Sequence, residues 1–220
     1  MLNKTARFVY LVIAFLVFCG SVQAAEHRMQ KMSRGTADQS FDALMDKSIK
    51  TMHERMGQVA MNGVPDHDFA AMMIPHHQGA IDMAGIFLRY GKDFRLSSLA
   101  RRIIGQQRAE IKLMQTWLDR HKGGPAEQAK SFTELIQAAD ATMHAEMEKA
   151  QKTGNPDHDF VTLMIPHHQG AIAMAKGFMK YGKSPVLLRL ARGIVTGQER
   201  EIAFMDRWLK SDGSEAPKHQ

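Results

Sequence analysis

The chain has 220 residues, enough for one domain or two small ones, and its 44% apolar content is ordinary for a folded protein. The formal charge of +6 is mild and scattered, with no basic patch interleaved with aromatics, which speaks against nucleic acid as a partner. Methionine is out of proportion, with 17 residues against a single cysteine, so thioether chemistry stands beside core packing as a use for it.

In chain order, residues 1–24 have the form of a signal peptide. Lys4 and Arg7 precede the apolar run from Phe8 to Phe18, and Val22-Gln23-Ala24 is a small-residue cleavage site. The run is too short for a membrane span. Phe18 directly before Cys19 fits a lipid-anchor signal poorly. Cleavage after Ala24 predicts a periplasmic or secreted protein with no cysteine and a charge of +4, from 27 basic and 23 acidic residues. No stable membrane insertion is expected afterwards. Residues 25–37 are polar and predicted to be disordered.

From Phe41 the pattern is helical. Leu44, Met45, Ser48, Ile49, Met52 and Met56 follow three-four spacing. Asn62-Gly63-Val64-Pro65 ends that helix, and Asp66 is the expected N-cap of the next, with Asp68 at the positive end of its dipole. The second helix is expected to reach Tyr90, where Gly91 stops it. Pro75 lies inside it and predicts a kink just before two histidines. A third helix carries the stripe Leu96, Leu99, Ala100, Ile103, Ile104, Gln107, Ile111, Met114 and Leu118. Gly123-Gly124-Pro125 marks a linker over residues 123–128, and the three-helix order then repeats. The predicted organisation is a first helical repeat at 38–122, a second at 129–211 and a tail at 212–220. No strand-like alternation appears. The fold class is all-α: two triplets, each too small for a comfortable core, packed about a pseudo-twofold axis as a four-helix bundle with additional helices.

The repetition is close. Between Pro65–Gly91 and Pro156–Gly182, 19 of 27 positions are identical at an ungapped offset of 91 residues. Met52, His53 and Met56 recur as Met143, His144 and Met147. Met73, His76, His77 and Met83 recur as Met164, His167, His168 and Met174. Conserving a fold needs only the apolar pattern. Retaining paired histidines and particular methionines points to ligation, and these 14 residues are the candidate metal ligands. His76 and Met83 lie two helical turns apart on one face, with small Ala80 between them. Met52 and Met56 are four apart and point the same way. If the first two helices pack antiparallel, both can face His76 and Met83. His76 and His77 diverge by about 100°, so one is expected to face the local methionines and the other the second repeat. Thioether with imidazole selects Cu(I), and Ag(I) by similarity, so copper is the expected bound metal. Zinc prefers cysteine, histidine and carboxylate. Taken singly, each methionine reads as core packing. Gln107, Glu110, Gln198 and Glu201 suit either hydrogen bonding to histidine or ordinary helix pairing.

These residues carry a resemblance. Asp66, Asp68 and Phe69, then Met73 to Ala84, then Gln107 to Met114, with their copies Asp157/Asp159/Phe160, Met164 to Ala175 and Gln198 to Met205, resemble the domain-of-unknown-function 305 family, which includes CopM-like copper-binding proteins. The resemblance implies a ferritin-like helical bundle, an exported location and copper or silver binding for metal tolerance. The second repeat departs from the first with Ala173 for Asp82 and Leu163 for Met72. The leading expectation is an exported protein that sequesters, buffers or carries Cu(I), with a copper exporter or chaperone as partner. A copper-dependent oxidase and a metal-free, Met-rich interaction module are the alternatives. No acid/base or nucleophile constellation supports an enzyme.

Overall fold

The structure, a computed structural model, describes residues 40–121 and 130–212. The signal peptide, Cys19, the segment 25–37, the linker 123–128 and most of the tail lie outside the described residues. Within them are six helices and no strand: α1 (Phe41–Gly57), α2 (Pro65–Tyr90), α3 (Phe94–Arg120), α4 (Lys130–Lys149), α5 (Pro156–Tyr181) and α6 (Pro185–Asp212). Residues 41–44, the first turn of α1, belong to one compact unit of the chain, and Met45–Gln220 form the other. Both helical triplets, from Met45 on, lie in that second unit. Among the described residues no helix is long and apolar enough to cross a membrane.

Helices α2 and α5 form the centre. They pack on each other, α2 also on α3, and α5 also on α4 and α6. Their sequences explain why. Both are apolar around most of their circumference, and each buries residues on more than one side, as expected of a helix surrounded by others. Stacked rings show that they run antiparallel. Phe69, at the start of α2, lies 4.2 Å from Phe178 at the end of α5. Phe87, at the end of α2, lies 4.3 Å from Phe160 at the start of α5. Such ring pairs contribute about 0.5–1.5 kcal/mol each beyond the area they bury.

Pro75 and Pro166 sit inside continuous helices. Each helix is therefore one rod that carries its histidines in a set register, and the proline does not begin a new helix.

Two expected caps are different residues. The N-cap of α2 is Val64, with Pro65 in the first turn and no side-chain cap. The equivalent position in α5 is Asn155, whose side chain accepts from the Asp157 backbone N–H. Asp66 serves another helix instead. Its carboxylate accepts the backbone N–H groups of Lys183 at 3.0 Å and Ser184 at 2.7 Å, just before α6. Asp157 does the same for Lys92 and Asp93, at 2.9 Å each, just before α3. In α3 this bond stands beside the helix's own cap, since the Asp93 carboxylate accepts the Arg95 and Leu96 backbone N–H groups. Asp68 accepts from Asn62 and Gly63 N–H at 2.8 Å, which holds the loop whose Gly63 has φ +82°.

Gly91 ends α2 in extended backbone (φ −68°), not in a left-handed cap. Its missing side chain leaves room for the Phe87 ring, which occupies the place a Cβ would take. Two indoles complete the cross-links: Trp117 Nε1 donates to Ser184 Oγ at 3.0 Å, and Trp208 Nε1 to Asp93 Oδ2 at 2.8 Å. Hydrogen bonds from Arg95 and Trp208 outweigh the cost of burial and hold the Asp93 carboxyl well below the usual carboxylate range.

Candidate metal centre

The histidines that follow the two prolines lie in the α2–α5 interface. His76, His77, His167 and His168 are all fully buried. The rings of His76 and His167 lie 3.9 Å apart, tilted by 44°. His77 and His168 diverge outward, with their rings 6.1 Å and 6.0 Å from their neighbours. His77 Nε2 reaches Glu110 Oε2 on α3 at 2.7 Å, and His168 Nε2 reaches Glu201 Oε2 on α6 at 2.8 Å. The result is a continuous line across the core: Glu110, His77, His76, His167, His168, Glu201.

Hydrogen-bond chemistry assigns the protons. A carboxylate can only accept, so the Nε2 atoms of His77 and His168 donate to their glutamates. A neutral imidazole carries one N–H, so in the neutral form of these rings each Nδ1 holds a lone pair. His167 Nε2 donates to the His76 backbone carbonyl at 3.1 Å, so its Nδ1 also holds a lone pair. Among the described residues these three Nδ1 atoms have no hydrogen-bond partner, and His76 has none on either ring nitrogen. Burying an unpaired polar atom costs about 1–3 kcal/mol, so this many in one place marks the line as the candidate site. Burial, then the neighbouring His77 and His168, push His76 well below its ordinary pKa, despite the opposing hydrogen bond. Burial, then His76, His168 and His77, do the same to His167. Both rings are therefore neutral at physiological pH, the form that can donate to a metal.

The thioethers are close by. Met52 and Met143 pack across α2 and α5 at Gly79 and Gly170: Met52 Sδ overlaps the place of a Gly79 Cβ, and Met143 Sδ lies 2.7 Å from that of Gly170. Glycine at these two turns lets sulfur approach the helix three residues past His76 or His167 and four before Met83 or Met174. Met73, Met83, Met164 and Met174 are fully buried, and Met56 and Met147 nearly so. Met52 packs beside the turn between His76 and Met83.

One histidine of each pair was expected to face the second repeat, and His76 does so, in ring contact with His167. His53 and His144 also meet across the repeats, from α1 and α4, with rings 4.0 Å apart. They line a cleft of about 360 Å3 with Glu54, Met147, Glu148 and Lys152. Burial and then His144 lower the pKa of His53 to about 4. The other histidine of the pair was expected to face the local methionines, but His77 is tied to Glu110 on α3. One polar residue beside this cleft went unnoticed in the sequence. Asp140 lies one turn before His144, and its buried Oδ1 has no partner among the described residues. Its pKa is raised by burial, partly offset by His144. The signal was the four-residue spacing to His144 and the departure from the repeat, where the first copy has Ile49.

Among the described residues, no three His, Cys, Asp or Glu side chains form a group that could hold a metal ion by themselves. A site here would therefore use fewer imidazoles, alone or joined by thioethers. That donor set suits soft monovalent ions.

The fold is an all-α bundle with histidines and methionines buried in its core. Residues 66–209 match the family model described as Domain of unknown function (DUF305), and the chain belongs to that family. It is similar to the Ag-bound form of CopM at 36% identity, covering 66% of this chain and 94% of that one, with a TM-score of 0.51. The Cu(I)-bound form of CopM gives 35% identity, covering 66% and 95%, at the same TM-score of 0.51. A DUF305 protein from Streptomyces coelicolor, named as a secreted protein, gives 27% identity, covering 73% and 99%, with a TM-score of 0.55. No curated protein matches the chain.

Proposed function

We propose that this protein is an exported binder of Cu(I) and Ag(I) that sequesters, buffers or carries the ion and so contributes to metal tolerance. The observation that carries this reading is the set of buried imidazoles with lone pairs in hand, packed among thioethers. CopM, similar over most of its own length, has been solved with Ag, Cu(I) and Cu(II). Burying a monovalent ion costs less than burying a divalent one, and among the described residues no cluster of His, Cys, Asp or Glu is at hand to neutralise the larger charge. We further propose binding without turnover, because catalysis needs an open coordination position and the four central histidines are sealed from solvent. The signal-like residues 1–24 support export, and a copper exporter or chaperone is the partner such a role needs. The two-triplet arrangement is supported by contacts that recur at the 91-residue offset, such as Asp66 and Asp157 on opposite helix entries.

The test is anaerobic Cu(I) titration of the mature protein against a chromophoric chelator, with zinc in a parallel competition. Cu(I) is expected to bind far more tightly than Zn(II). Equal or tighter zinc binding sinks the assignment.

A further inference from the structure

We infer that His76 and His167 form one ion site shared by the two repeats, so that the core takes a single Cu(I) or Ag(I) there instead of one in each repeat. This rests on the binding proposed above and names where that binding is joint.

Three observations carry it. First, the two rings are in contact at 3.9 Å inside a core sealed from water. Separate cations on each ring would sit within a few ångströms of one another at low dielectric, where like charges repel strongly. Second, among the described residues no carboxylate is hydrogen-bonded to either of these two rings. The carboxylates in this line, Glu110 and Glu201, are spent on the outer histidines His77 and His168. Third, the pair offers the donors one monovalent ion needs. His167 has its Nε2 committed to the His76 carbonyl and its Nδ1 free, while His76 has both nitrogens free. Two imidazole lone pairs satisfy a two-coordinate monovalent d10 ion, and a buried thioether can add a third donor. A divalent ion asks for four or more.

The geometry adds a consequence. A linear bridge needs ring centres roughly 6 Å apart, from metal–nitrogen bonds of about 2 Å plus the ring radii. Loading therefore either parts the two rings or brings both nitrogens to the ion from one side. Either way a residue of each repeat moves in the same binding event.

Native mass spectrometry of the full mature chain with Ag(I) separates the alternatives. His76→Ala and His167→Ala are each expected to lose the same one ion, and the double variant no more than either single. A double variant that loses two ions, one for each single, overturns the shared site. So do single variants that lose none. Should an alanine variant fail to fold by circular dichroism, the wild type decides. With 15N-labelled histidine, the ring nitrogens of His76 and His167 are expected to shift together on the first increments of Ag(I). Shifts at one ring completed before the other responds overturn the idea. A wild type that takes up no Ag(I) or Cu(I) at all overturns the binding reading itself, and this inference with it.

Discussion

At the scale of single residues, the central histidines make the apo protein sensitive to acid. His76 and His167 have pKa values lowered on folding, so the unfolded chain binds protons more readily than the folded one. The stability linked to their neutrality is fully present above about pH 6.5, the unfolded value, and is lost as pH falls below it. His53 adds to it in the same direction down to about 4. Asp140 opposes it, because its raised pKa favours the protonated folded form, but only nearer the carboxylate range. Urea midpoints of the apo protein at about pH 7.5 and about pH 5 check this, and a midpoint that does not fall refutes it. Glu110 and Glu201 belong to the same scale. Each fixes a tautomer, so Glu110→Ala is expected to weaken metal binding by roughly 10–100-fold while the number of ions stays the same. Chelator competition measures this. An unchanged affinity would make the pair ordinary helix packing.

At the scale of the element, what positions the sulfur atoms is the absence of side chains on α2 and α5. A Cβ at Gly79 overlaps Met52 Sδ, whereas one at Gly85 on the same helix meets nothing within 4 Å. Gly79→Ala should therefore push Met52 aside and destabilise the protein by about 1–3 kcal/mol. Gly85→Ala should stabilise it by about 0.5–1 kcal/mol through helix propensity alone. Chemical denaturation of the two variants side by side gives the comparison, and like-signed shifts would mean that Met52 yields freely. The metal affinity of Gly79→Ala should fall as well, since the thioether it displaces is a candidate ligand.

At the scale of the whole molecule, the two triplets are stapled at both ends of the central helix pair. Asp66 holds the entry of α6 and Asp157 the entry of α3, while Trp117 and Trp208 reach the residues at those same entries. Asp66→Ala and Asp157→Ala should each cost about 1–2 kcal/mol, the range for losing a helix cap. Their partners are separate, so the costs should add in the double variant. Guanidinium unfolding followed by far-ultraviolet dichroism is the measurement, with one transition expected throughout. Two resolved transitions in the double variant would show instead that the triplets can unfold independently.

Much of this protein was legible one residue at a time. Three-four spacing is a local property, so the six helices could be read from it, with ends set by Gly63-Val64-Pro65 and its counterpart Gly154-Asn155-Pro156. The offset of 91 residues exposed the duplicated chemistry in the same way. The kinds of donor were also evident, since Met and His carry their ligand character into any fold. What the sequence could not supply was the identity of the neighbour. Helical geometry says that His76 and His77 point apart, but not that α5 lies opposite one and α3 opposite the other. Asp66 looked like a cap for its own helix because short-range hydrogen bonds are the ones a local pattern can reveal. Its true partners, Lys183 and Ser184, lie more than a hundred residues away and meet it only because α2 and α5 pack antiparallel. The contact of His76 with His167, and of His53 with His144, has the same origin. Local periodicity sets which side chains share a face, while the burial of several apolar faces at once decides which faces meet.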